Sequence, residues 1–257
     1  MIKKSLNTLG DHAPKSEWLI NFFDQGNAFF ESNALGSVQL PFFTRFLTNA
    51  GLVERKRVTP FFHFIKQLGW ENAEAWSYIL VRLCYSNAQF RWYIQNLPVG
   101  SEMIDRKRIE LRLFEAGVSH KDACSIIKAF GRIVNETPLG TRLHFGEVLM
   151  KGVSIIAIRR LRTVNTSPIP VLYSLYHYME AENLHQTTLE SLMDFSIAKK
   201  GMSPAQIFGM TGEELEKVVR YMLQNYSNYI YSNSPQNPIS IILNRESFTA
   251  NDILALR

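Results

Sequence analysis

The sequence predicts a mainly helical fold with short β-hairpins, an α+β architecture, on three observations. Apolar residues recur at helical spacing through most of the chain. Short alternating runs occur only in pairs, around residues 143–164 and 229–243. A plan of two helical segments followed by a strand pair appears twice, from Met103 to Val164 and from Ile169 to Ile253. At 257 residues and 46% hydrophobic content, the chain has room for one large domain or two to three small ones.

Residues 1–102 read as a helical domain with an aromatic core. Trp18, Leu19, Phe22, Phe23, Phe29 and Phe30 recur at roughly helical spacing, and Asn33–Gln39 is a loop. Leu40–Ala50 is a helix with Pro41 in its first turn and Gly51 just past its end. Leu52–Val58 is a connector, and Thr59-Pro60 opens a helix that Gly69 ends. Asn72 or Glu74 begins a long apolar helix, and a further one holds Phe90, Trp92, Tyr93, Ile94 and Leu97 before Pro98-Val99-Gly100 breaks the chain.

Residues 103–166 form the first copy of the repeated plan. Asp105–Ala116 is a helix ended by Gly117, and Ser119 caps the next, in which Ala123, Ile126, Ile127, Phe130 and Ile133 keep the helical period. The short link between them is of helix-turn-helix type. Pro138-Leu139-Gly140 punctuates, and Leu143–Met150 and Val153–Val164 flank Lys151-Gly152 as a hairpin.

Residues 167–257 repeat the plan. Ile169–Glu182 is a helix, Thr188 caps a short one to Phe195, and Gly201–Pro204 is a loop. Thr211-Gly212 introduces a helix to Tyr226 whose acidic start suits the positive end of the helix dipole. Tyr229–Tyr231 and Ile239–Leu243 are strands joined by an exposed loop, Ser232–Pro238. Helix–helix–hairpin is the plan of a winged helix, so two winged-helix-like modules are expected after the helical domain.

Charge is unevenly spread. The formal net charge is +5, yet residues 1–102 carry +2, residues 103–162 carry +6 and residues 163–257 carry −3. A concentrated basic segment is an electrostatic footprint for phosphate, or else a solvated face. Arg106, Lys107 and Arg108 begin the first helix of the middle module, and Arg159, Arg160 and Arg162 end its second strand. Lys121, Lys128 and Arg132 follow at spacings of seven and four, on one face of its second helix. In a winged helix such a helix enters the major groove while the wing touches phosphate. The matching helix of the last module carries Glu213, Glu214 and Glu216 against Lys217 and Arg220, and suits a protein contact or internal packing instead.

No catalytic constellation accompanies these modules. There is no glycine-rich phosphate loop, no nucleophile elbow and no H-E-x-x-H, so no enzyme, cofactor or metal is expected. None of the six histidines is read as standing at ligand spacing from another ligand, and Cys84 and Cys124 are read as small buried hydrophobes. No apolar run follows Lys3-Lys4 and no stretch is long enough to span a bilayer, which gives a cytoplasmic protein without a membrane partner.

Several segments resemble a known family. They are Leu35-Gly36-Ser37-Val38-Gln39 with Phe46–Leu52, Trp76–Leu80 leading to Trp92-Tyr93-Ile94, Glu136–Gly140, Pro170–Tyr176 and Ser203–Gly209. Together they resemble the region C-terminal to the catalytic domain in phosphoadenosine phosphosulfate reductase-like proteins. Some of those are associated with bacterial DNA sulfur modification and phage defence. The S-G-G-K-D-S-type nucleotide loop of those enzymes is missing, so no catalytic residue carries over. The resemblance implies an accessory subunit that holds nucleic acid or a reductase-like enzyme partner, and the basic middle module makes duplex DNA the expected nucleic acid. A protein-interaction scaffold without nucleic-acid binding is the other reading.

Overall fold

The computed structural model describes residues 5–164, 166–195, 199–234 and 239–256. They form two compact units, Met1–Val164 and Asn165–Arg257. The α+β class holds: helices dominate, and every sheet is small and antiparallel.

The first unit opens with α1 (Ser16–Gln25), which a 3-10 turn, Gly26–Phe30, continues. Then come α2 (Gln39–Asn49), a minimal hairpin of β1 (Val53–Glu54) and β2 (Arg57–Val58), and α3 (Pro60–Leu68). The hairpin was expected as a plain connector. Arg55 and Lys56 turn it, both with positive φ and without a glycine to announce the turn. Side-chain caps start α3 from Thr59, α4 (Ala73–Ser86) from Asn72 and α5 (Ala88–Asn96) from Asn87. The core between these helices is aromatic: Phe23 stacks on Phe62 at 5.4 Å and on Trp70 at 4.9 Å.

The same unit continues through β3 (Ile104–Asp105), α6 (Arg106–Glu115), α7 (His120–Glu136) and a single turn, α8 (Pro138–Thr141). A hairpin of β4 (Gly146–Lys151) and β5 (Ser154–Arg160) closes it, turning at Gly152. The sheet order is β3-β5-β4. Gly131 lets α7 lie against the hairpin, for a methyl there would meet Ile155 Cδ1 at 2.4 Å.

The second unit repeats the strand order of the first unit's three-stranded sheet. Its elements are α9 (Pro168–Ala181), β6 (Gln186–Thr188), α10 (Leu189–Met193), α11 (Pro204–Phe208), α12 (Gly212–Asn225), β7 (Ile230–Tyr231), β8 (Ser240–Leu243) and α13 (Ala250–Ile253). The sheet order is β6-β8-β7. Thr211 and Glu214 build the capping box of α12, and the Tyr176 hydroxyl donates to the Tyr229 carbonyl at 2.9 Å. Part of the expected Ser232–Pro238 loop, residues 235–238, lies outside the described residues.

Candidate nucleic-acid interface

The sequence singles out nine basic residues, and the structure distributes them unevenly. Asp105 caps α6 through the Arg108 amide, so the helix starts on the strand that pairs with β5. Lys107 and Arg108 are exposed at that start, whereas Arg106 turns inward. Its Nε donates to Glu110 Oε1 at 2.7 Å and its Nη2 contacts Cys124 Sγ at 3.0 Å. The Glu110 carboxylate beside it holds the Arg106 pKa above its ordinary value, so the charge is fixed.

Helix α7 is embedded on most sides. The segment before α1 and the first residue of α1 run along it: Asn7 donates to Asp122 at 2.7 Å, Arg132 to the Asp11 carbonyl at 2.8 Å, and Ser16 to the Glu136 carbonyl at 2.6 Å. Buried Gln89 holds that segment by accepting from the Thr8 and Leu9 amides, and the Tyr93 hydroxyl donates to the Ile126 carbonyl at 2.6 Å. Apart from His120 at its start, α7 exposes Lys121, Lys128 and Asn135. At intervals of seven these make a ridge one residue wide. That ridge can meet phosphates, but it presents no broad face to base edges, contrary to the groove-entering expectation. Arg132 is half-buried and paired with Glu136 at 3.9 Å.

The strand end corrects one expectation outright. Arg160 is a core residue, 2% exposed, donating to the Ile94 carbonyl at 2.8 Å with its guanidinium 6.0 Å from the Phe145 ring. Burial brings its pKa down to about 10, so it stays charged at neutral pH within the core. It cannot contact nucleic acid. Alternation along a strand explains the placement: neighbours point to opposite faces, and Arg159 points outward to Glu147 and the Ser101 carbonyl. Arg162 is exposed beyond the strand. Of the nine, the accessible ones are therefore Lys107, Arg108, Lys121, Lys128 and Arg162, with Arg142 and Lys151 of the same segment also exposed.

Alongside them lies a set the sequence reading left apart. Glu110 of α6 and His120 and Cys124 of α7 bring their ligand atoms within 4.8 Å of one another. The signal was present, because His120 and Cys124 are four residues apart and so one turn apart on one helix face. Glu110 is joined to them only by the packing of α6 on α7. Elsewhere in this unit, an open pocket of about 560 Å³ is lined by Lys15, Trp18, Asn21, Gln25, Asn33 and Gln39. Glu17 and Ser32 also line it, and Glu17 pairs with Lys15 at 3.7 Å.

No known protein family matches the sequence, and neither does any curated protein. Among solved structures, the chain is similar to a magnesium ion-bound SspB crystal structure, with TM-score 0.68 and 12% identity over 99% of this chain and 88% of that one. It is also similar to a second SspB crystal structure, with TM-score 0.66 and 11% identity over 98% of this chain and 90% of that one. At such identity the likeness is one of fold. No helix among the described residues is long and apolar enough to cross a membrane.

Proposed function

We propose that this chain is a non-catalytic nucleic-acid-binding adaptor that holds duplex DNA by its phosphates, within a bacterial sulfur-modification or phage-defence complex in the cytoplasm. Its contact surface is Lys107, Arg108, Lys121, Lys128 and Arg162. The observation that carries the reading is the +6 charge of residues 103–162, which survives folding as exposed lysines and arginines although three arginines pair with Glu110, Glu136 and Glu147. Both copies of the repeated plan are read as winged helices, supported by the helix–strand–helix–helix–hairpin order and by sheets in which the leading strand joins the last.

The resemblance to the region beside a reductase-like catalytic domain supports a partner enzyme that supplies the chemistry. The SspB-like fold, which spans nearly the whole chain, supports a place in an Ssp-type assembly. The magnesium of one SspB structure does not transfer to the Glu110–His120–Cys124 group, whose sulfur and imidazole donors do not suit that hard cation.

The scaffold reading draws on a different observation. Leu149, Met150, Val153 and Ile156 leave the β4–β5 hairpin apolar on its outside, with Val153 97% exposed. Fluorescence anisotropy against short duplex and single-stranded DNA at several salt concentrations separates the two. Engagement of three to five phosphates gives a slope of log K against log salt of about −3 to −4.5 for duplex. Replacing Lys107, Arg108, Lys121 and Lys128 with Glu should flatten that slope and remove most of the affinity. Binding unchanged by these substitutions, or no binding at low salt, would sink the adaptor reading in favour of the scaffold.

A further inference from the structure

We infer that Glu110, His120 and Cys124 form a binding site for a divalent transition-metal ion of the zinc class, for which the Arg106 guanidinium is the resident placeholder. The three ligand types are those zinc takes, and bond lengths of about 2.0–2.3 Å put tetrahedral ligand atoms roughly 3.3–3.8 Å apart. The donor atoms already lie within 4.8 Å of one another, so side-chain rotation of about an ångström closes the set. No backbone movement is required. His120 and Cys124 stand on successive turns of α7, and Glu110 faces them from α6.

The second observation is what fills the site now. Arg106 bridges the two ligands that carry negative charge when a metal is bound, with Nε on the Glu110 carboxylate at 2.7 Å and Nη2 on the Cys124 sulfur at 3.0 Å. The fold thus already places a cation between them. A divalent ion would displace the guanidinium and take its charge role, with the Cys124 thiol releasing its proton to solvent on coordination. Arg106 has somewhere to go, since its side chain is 30% exposed. Ring contact with Phe114, at 6.2 Å and 30°, orients His120. Exposed His120 and half-buried Cys124 leave an entry path, and three protein ligands leave a fourth position for water. Such a site would clamp α6 to α7 beside Lys107, Arg108 and Lys121.

Cobalt titration of the full-length reduced protein tests this. Co²⁺ should bind one per chain, giving a sulfur-to-cobalt charge-transfer band in the near ultraviolet and the intense visible bands of a tetrahedral centre. Zn²⁺ should then bleach both. Cys124→Ser should abolish the charge-transfer band. Should that variant misfold by circular dichroism, His120→Ala at the exposed helix start serves instead, with an expected loss of at least about tenfold in affinity. Arg106→Ala should tighten binding by about tenfold or more, since no charge-assisted hydrogen bond then has to be broken. No charge-transfer band in the wild-type protein, or a band that Cys124→Ser keeps, overturns the inference. Weaker cobalt binding by Arg106→Ala overturns the placeholder role.

Discussion

Burial reverses what the residue type suggests at Arg160 and agrees with it at Cys84. An arginine at the end of a strand in a basic segment invites a phosphate, yet Arg160 sits in the core with the Ile94 carbonyl as acceptor. Arg160→Ala would open a cavity and orphan that carbonyl, so it should cost the first unit about 2–4 kcal/mol by urea denaturation. It should leave the salt slope of DNA binding unchanged, which separates a packing residue from a phosphate contact. Burial also pushes the Cys84 thiol from 9.0 up to about 12, with Arg160 and Arg91 pulling the other way. Its stabilising effect is complete below the unfolded thiol pKa, begins to fade above pH 9, and is lost as pH rises through about 12. Accordingly, Cys84 should resist a thiol reagent at pH 8 until denaturant is added. Prompt labelling of both cysteines in native protein would contradict the burial.

At the level of elements, the α7–α8 junction explains why Glu136–Gly140 reads as a motif. The buried Thr137 ends α7, Pro138 starts α8 with its fixed φ, and Gly140 lies against the backbone of the preceding helix. A Cβ at Gly140 would fall 1.8 Å from the Val134 carbonyl oxygen. Backbone cannot swing away as a side chain does. Gly140→Ala is therefore expected at the upper end of overpacking costs, about 3 kcal/mol, read as a lowered melting temperature. Cap residues were the most legible part of the sequence: Thr59, Ser119, Thr188 and Thr211 each start the helix expected of them, and of the two starts read for α4 it is Asn72 that caps. The leading strands, Ile104–Asp105 and Gln186–Thr188, were not legible, because two or three residues are too few to show alternation. The metal-ligand trio was half legible. His120 and Cys124 carry a helical spacing, whereas Glu110 reaches them only through tertiary packing, which one sequence does not reveal.

For the whole molecule, the two units differ in charge as well as in position along the chain. Residues 103–162 of the first carry +6, while residues 163–257 carry −3, and α12 presents Glu213, Glu214 and Glu216 with Arg220 paired to Glu216 at 2.8 Å. Phosphate attraction is a sum over local charges screened within about 8 Å at physiological salt. Acidic residues on the second unit therefore cannot substitute for the first as a DNA contact. Each unit also has its own core, aromatic around Phe23 in the first and built on α9 in the second. Separate expression of residues 1–164 and 165–257 should give two folded fragments, each with a cooperative melt. The first fragment should keep the salt slope of the intact chain within about one phosphate, a change of roughly 0.9 in the slope. The second should show no salt-dependent DNA binding. If instead the acidic fragment binds DNA and the basic one does not, the charge argument fails, and recognition must come from groups other than the exposed lysines and arginines.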